Sequence, residues 1–415
     1  MRALLTFWDG GEGHLARIAH LAGLLSERGH RCTILSSAAK AARVRELAPR
    51  SEIRLLENKP HPNPPARPLM PVYSHAFRHA QRRAALGFTA GFVAGNVAAA
   101  GRVIRDVRPE LIVNDYHDTV RIAADAAGVP VVSLAMAHGL TSGDTLGAWK
   151  AHEQRGHRVP ERLDCFNEVR ARLGLLPYAD ERETFEGVSN LIPTCAELDP
   201  VRPRAGDFHV GPIMAAPSPA ARGGKRRPLV VSYLAEGNNR PESAFAEACA
   251  RLVAETPEWD FVVLGGDRYR RWSSLGASFP GMVSPSDYLT LLDRADAVIT
   301  HGGTTLVHAL ERSVPVLCLP WTSSESAWAI RAEEHDAGLL YPEYRRPLEW
   351  RTDPVVGADV EVAGHWSISV TAAGLRKALR RVLDLRSGAA AIAERLREHR
   401  AAAQVVQLVE AAAGG

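Results

Sequence analysis

One order of local patterns occurs twice in this chain, and it restricts the possible folds more than any other feature. A short apolar run, Arg2–Phe7, ends in the turn Trp8-Asp9-Gly10-Gly11-Glu12-Gly13. A helical pattern follows from His14 to Arg28, with Leu15, Ile18, Ala19, Ala22 and Leu25 at helical spacing. Arg31–Ser36 then reads as a second strand. Two strands joined through a helix must lie parallel, so the segment is a βαβ unit of a doubly wound sheet. The alternation continues through strands at Glu52–Leu56, Leu111–Asn114 and Val131–Ala135, with helical stretches over Tyr73–Asp106 and Thr119–Ala127. Lys59–Pro71 holds too many prolines for regular structure. Residues from His138 to Pro177 read as helices and loops that roof a pocket.

Past Gly211-Pro212 the composition shifts to Pro, Gly, Ala and basic residues, and then the alternation restarts. Strands are expected at Leu229–Tyr233, Asp260–Leu264, Ala297–Thr300 and Val316–Leu319, with helices at Pro241–Glu255, Ser286–Arg294 and Thr304–Arg312. The expected organisation is α/β, with two Rossmann-like domains facing across a cleft. Residues 1–212 form the first, 213–228 a linker and 229–415 the second. The Ala-rich, helical stretch Ser387–Glu410 is placed to pack back on the first domain.

The remaining composition excludes other classes. A formal net charge of +3 and the lack of a Lys/Arg block argue against nucleic acid. Five scattered cysteines give neither a disulfide framework nor a zinc spacing, and they fit a reducing cytoplasm. The first apolar run is too short for a signal peptide, and no stretch approaches the roughly 18–20 apolar residues that span a bilayer. There is no P-loop and no D-x-D carboxylate pair for a nucleotide-bound metal. His152-Glu153-Gln154-Arg155-Gly156-His157 is one residue too long for H-E-x-x-H, and His75/His79 read as a solvated helix face.

Ligands of doubly wound sheets bind at the carboxyl ends of strands, and two loops there have unusual composition. In Thr300-His301-Gly302-Gly303-Thr304-Thr305, glycines allow close backbone approach and the following helix offers free N–H groups suited to a diphosphate. A tight turn capped by Thr304 is an equal reading of the same residues. In the first loop, His14 opens a helix toward the cleft with an imidazole suited to general-base work, or simply caps and packs. Asp115, at the end of the LIVN strand, can hydrogen-bond His14 and fix its tautomer. Taken alone, Asp115 reads better as the N-cap of the next helix, and Asp118 competes for the partner role. Gly11-x-Gly13-x-x-Ala16 weakly matches a dinucleotide fingerprint, but Ser36-Ser37 supplies no ribose carboxylate; Lys40 and Arg43 leave NADP open.

Three stretches resemble one family. AVITHGGTTLVHALERSVPVLCLP (Ala297–Pro320) is similar to the donor signature of GT-B glycosyltransferases that use nucleotide sugars, above all bacterial enzymes that decorate antibiotics. GEGHLARIAHLAGLLSERGHRCTIL and LIVNDYHDTVRIAADAAGVPVVSL resemble that family's first domain. The resemblance implies inverting, metal-independent transfer from a UDP or TDP sugar to a small natural-product acceptor, without other cofactors, by a monomer or homodimer. It implies His14 as base and Asp115 as its support. The diphosphate would be held by His301, Gly302, Gly303, Thr304 and Thr305, with Gly237 and Asn238 approaching it, and Val283 and Ser284 near the base.

The sequence departs from the family at two places. The stretch between H-G-G and V-P is one residue short, and His308 falls near the usual ribose glutamate. Where the family carries Asp-Gln and Asn for sugar hydroxyls, this chain has Ser324, Glu325 and Trp328. Glu325 can still accept hydroxyl hydrogen bonds. Trp328 offers either an apolar wall for a deoxysugar or core packing. Three alternatives to transfer stay open: an epimerase or hydrolase of the same fold, an NAD(P) enzyme, and a degenerate binding partner.

Overall fold

The structure is a computed structural model. It describes residues 1–8, 12–56, 90–143, 163–214, 227–233, 242–265, 270, 273–281, 283–319, 323–341, 348–352, 359–363, 371–399 and 402–414. The first sheet contains β1 (Arg2–Phe7), β2 (Arg31–Ser36), β3 (Glu52–Leu55), β4 (Leu111–Asp115), β5 (Val131–Leu134), β6 (Ser189–Ile192) and β7 (Asp207–His209). All pairings are parallel, in the order β3-β2-β1-β4-β5-β6-β7. Its helices include α1 (Glu12–Glu27), α2 (Ala41–Leu47), α3 (Ala90–Val107), α4 (Asp118–Ala127) and α5 (Leu163–Arg172).

The strands are near-continuous apolar runs because helices cover both faces of a parallel sheet. Along β1, Ala3, Leu5 and Phe7 enter one core with Leu15, Ile18 and Leu25 of α1. Leu4 points the other way, against α3 and α4 through Val93, Ile104 and Val120. Each leucine so enclosed contributes ~1.5–3 kcal/mol. A slip of one residue would exchange the two faces, so the alternation also fixes the register of β1.

The second sheet repeats this arrangement. It comprises β8 (Leu229–Tyr233), β9 (Asp260–Leu264), β10 (Ser278–Gly281), β11 (Ala297–Thr300), β12 (Val316–Cys318) and β13 (Gly338–Leu340). The order is β10-β9-β8-β11-β12-β13, again parallel throughout. Its helices include α6 (Glu242–Glu255), α7 (Pro285–Arg294), α8 (Thr304–Glu311), α9 (Ser323–Glu334), α10 (Ala372–Leu383) and α11 (Arg386–Glu398). A separate antiparallel hairpin joins β14 (Leu348–Thr352) to β15 (Asp359–Ala363).

The helical stretch expected over Ser387–Glu410 comprises two helices, α11 and α12 (Ala402–Gly414). Packing separates them: Ala389, Ile392 and Leu396 join the core of the second sheet, whereas Val405, Val406 and Val409 join that of the first. Helix α12 is fastened there by an ion pair from Arg28 and a hydrogen bond from His30 to Glu410. Between the sheets lies an apolar seam in which Cys195 and Leu198, just past β6, pack with Trp328 of α9.

Candidate active site

The strand orders explain why chemistry gathers where it does. In the first sheet the order reverses beside β1, where the chain leaves β3 and returns as β4. In the second it reverses between β8 and β11. A crevice opens at the carboxyl ends of strands at such points. His14 follows β1 and Asp115 ends β4, while Tyr233 ends β8 and His301 follows β11. Parallel pairing sets Phe7 opposite Asp115, and the Trp8 N–H donates to the Asp115 carbonyl at 2.8 Å.

His14 and Asp115 meet, with Nδ1 2.8 Å from Oδ1. Asp115 caps no helix: α4 starts after His117, and Asp118 accepts from the Thr119 N–H instead of serving His14. The Asp115 side chain is fully enclosed, while His14 keeps 21% of its own exposed. Burial alone would push the Asp115 carboxyl up. The neighbouring charges of Arg17 and then His14, with their hydrogen bonds, outweigh burial and hold it below the usual carboxylate range.

Arg17 is the member of this cluster that sequence reasoning missed. It stands one turn after His14 on the same face of α1, 4% exposed. Its Nε and Nη2 donate to Asp115 Oδ2 at 3.2 and 3.0 Å, and Nη2 also reaches Oδ1 at 3.1 Å. The same Nη2 lies 3.0 Å from His14 Nδ1. Nη1 crosses to the other sheet and donates to Thr304 Oγ1 at 3.2 Å. The sequence signal was an arginine at i+3 from the candidate base, inside the buried stripe of α1.

Aromatic edges hold the imidazole in place. Trp8 and Tyr116 meet it edge-on, with ring centroids at 5.5 and 5.8 Å. Tyr116 has φ 61°, a left-handed conformation that is uncommon and costly for a bulky residue. It is stabilised there because its hydroxyl accepts the Met136 N–H at 2.7 Å and its ring packs on Phe185.

Across the cleft, Gly302 and Gly303 carry φ 111° and 63°. Gly303 is the N-cap of α8 and gives no side-chain cap, so Thr304 opens the helix and is not its cap. The first N–H groups of α8 therefore end a helix whose dipole favours an anion at this turn. Thr304 Oγ1 lies 2.8 Å from where a Cβ on Gly13 would stand. The start of α1 and this turn are in direct contact, and only glycine fits between them. His301 packs on Tyr233, with Nε2 3.8 Å from Glu325 Oε1. Thr305 is buried at 7% exposure.

The other expected residues fall in different surroundings. Ser284 is the N-cap of α7, its Oγ accepting the Asp287 N–H, and Val283 precedes it, half-buried against the core. His308 is buried edge-on to Tyr288, with no hydrogen-bond partner at Nε2. Burial first, then the charges of Arg312 and Arg17, push its imidazole down to about 3. Trp328 is 1% exposed and packs in the seam with Cys195 and Leu198. Ser324 belongs to α9. Gly237 and Asn238, the His75/His79 pair and the His152–His157 stretch lie outside the described residues.

The basic residues that left NADP open are engaged elsewhere: Lys40 and Arg43 both ion-pair with Glu12 at the start of α1, Arg43 at 3.7 Å. Among the described residues, no group of three or more His, Cys, Asp or Glu is placed to hold a metal ion. No described helix is long and apolar enough to cross a membrane.

No family model matches the chain, and no curated protein matches it in sequence. Solved structures do match over its whole length. The calicheamicin glycosyltransferase CalG4 is 19% identical, with 100% of this chain and 98% of that one covered and a TM-score of 0.69. The glycotransferase of kitacinnamycin is 17% identical, covering 99% and 98%, at 0.68. The spinosyn rhamnosyltransferase SpnG, in complex with thymidine diphosphate, is 17% identical, covering 99% and 100%, at 0.65. With its two parallel sheets and the crevice at their switch points, the chain therefore shares the GT-B fold of these natural-product glycosyltransferases.

Proposed function

We propose that this protein is an inverting, metal-independent glycosyltransferase, moving a hexosyl or deoxyhexosyl group from a UDP or TDP sugar to a small natural-product acceptor. The observation that carries this reading is the 2.8 Å contact between His14 and buried Asp115, facing the glycine turn at the start of α8. Nδ1 donates to Asp115, which leaves Nε2 to take the acceptor hydroxyl proton. The freed oxygen attacks the anomeric carbon from the side opposite the diphosphate. One carbon–oxygen bond forms as the bond to phosphate breaks, and the configuration inverts.

The leaving diphosphate gains charge as that bond breaks. The free N–H groups of α8, the Gly302-Gly303 turn, the Thr304 and Thr305 hydroxyls and His301 would receive it, as a fixed electrostatic cradle in place of a metal. Gly237 and Asn238 would approach from the β8 side. Val283 and Ser284 border the nucleoside, and Glu325 with Ser324 would meet sugar hydroxyls. Thymidine diphosphate bound to SpnG, and the spinosyn aglycone in another complex of the same enzyme, support a TDP sugar and a small-molecule acceptor here. The intact dyad favours catalysis over a degenerate binding role, because a binder needs no buried carboxylate behind a half-buried imidazole.

The test uses UDP and TDP sugars with a panel of polyketide and aromatic acceptors. His14→Ala should lower transfer by on the order of 10²- to 10⁴-fold, the usual worth of a general base. Thermal stabilisation by the nucleoside diphosphate should survive this change. Free sugar as the only product would identify a hydrolase, and an altered nucleotide sugar an epimerase. Loss of nucleotide stabilisation in His14→Ala would count against the placement of base and donor site on separate sheets.

A further inference from the structure

The Nδ1 atom of His14 has two suitors of opposite kind. Asp115 Oδ1, 2.8 Å away, can only accept a hydrogen bond, and Arg17 Nη2, 3.0 Å away, can only donate one. A single nitrogen satisfies one of them at a time. With its proton on Nδ1, His14 donates to Asp115 and presents a bare Nε2 to the cleft. With its proton on Nε2, it accepts from Arg17 and presents an N–H there. The first tautomer is able to take a proton from an acceptor and the second is not.

Arg17 also has a partner on the far side of the cleft. Nη1 donates to Thr304 Oγ1 at 3.2 Å, in the turn that opens α8. One guanidinium, nearly sealed from solvent, thus spans the base, its carboxylate and the expected diphosphate turn. It is a planar fork with fixed donor directions, so a shift toward one partner withdraws donors from another.

We propose that Arg17 is a positioning residue that makes the base depend on the donor. Without a diphosphate, its Nη2 donates to His14 Nδ1 and holds the unproductive tautomer. Negative charge arriving at the α8 turn draws the guanidinium toward Thr304 and releases Nδ1 to Asp115. The change moves one proton from Nε2 to Nδ1 through water, with no change in net charge. The groups facing this imidazole among the described residues are Asp115, Arg17, Trp8 and Tyr116. This inference rests on the reading of Gly302–Thr305 as a diphosphate site. It assigns that site a second task, which is to report its occupancy to His14.

The tautomer is read directly by ¹⁵N NMR of histidine-labelled full-length protein, with the His14 signals assigned by their loss in His14→Gln. The expected result is an Nε2–H imidazole in the free protein that becomes Nδ1–H on saturation with TDP or UDP. In Arg17→Met the Nδ1–H form should be present with and without nucleotide. Should that variant fail to fold, Arg17→Lys serves, since one ammonium cannot span three partners; the wild-type titration stands in either case. An Nδ1–H form already present in the free wild type, or an imidazole that nucleotide leaves unchanged, overturns the proposal. If neither diphosphate stabilises the protein, the transferase reading fails. The free wild type compared with Arg17→Met then still decides whether Arg17 sets the tautomer.

Discussion

Single residues at this site are held by contacts that a sequence does not display. His14 and Asp115 could be read, because a histidine after a glycine turn and an aspartate ending an apolar strand both fall where doubly wound sheets place ligands. Asp115 alone still looked like a helix cap, and only its 2.8 Å contact with His14 decides otherwise. Tyr116 gave no signal, since nothing in N-D-Y-H announces a left-handed backbone. Its hydroxyl satisfies the Met136 N–H, and burial pushes that phenol well above its ordinary range, so it stays neutral. Tyr116→Phe should leave this N–H without an acceptor and lower stability by about 1–3 kcal/mol, read from the urea midpoint at constant slope. An unchanged midpoint would mean that the hydroxyl does not hold the strained residue. Trp328 and His308 were harder still, because an aromatic or a histidine on a helix does not reveal what the opposite sheet sets against it.

At the scale of elements, alternation was the readable property. Apolar runs separated by helical periods gave most strands at nearly their observed bounds, because burial on both faces demands such runs. Short or less apolar pieces were not legible: β7 has three residues, and β10 reads Ser-Phe-Pro-Gly. The break between α11 and α12 was invisible for another reason. The two helices differ in the sheet they pack on, which is a tertiary fact. The contact of α1 with α8 is likewise tertiary, and it makes a sharp prediction at Gly13. Gly13→Ala would set a methyl 2.8 Å from Thr304 Oγ1 and 3.4 Å from its Cβ. Helix α1 then moves relative to the turn by a fraction of its present spacing. A displacement of about 1 Å between reacting groups costs on the order of 100-fold in rate. Single-turnover transfer should therefore fall at least tenfold, with the thermal midpoint shifted by only a few degrees. Full activity in Gly13→Ala would show that this contact does not set the distance between base and donor.

For the whole molecule, the seam between the sheets contains a carboxyl that makes stability depend on pH. Burial pushes the Asp199 carboxyl up to about 7, against the opposing effects of the Ala137 N–H, the nearby Trp328 indole and the charge of Arg331. Between pH ~4, where an unfolded aspartate ionises, and pH 7, the folded chain holds a proton that the unfolded chain has lost. Stability therefore falls as pH rises through that window and levels off above it, by roughly a few kcal/mol in total. Asp199→Asn removes the titration. Its thermal midpoint relative to the wild type should rise between pH 5 and pH 8, and a constant difference across that range would contradict the buried, raised carboxyl. Helix α12 bears on movement across the same seam. The backbone passes from the first sheet to the second after β7 and returns after α11, so the second body hangs on two straps. A panel held by two hinge pins swings about the line through them and resists twisting about any other axis. Movement of the second sheet against the first should thus follow one rotation, and removal of α12 would release the others.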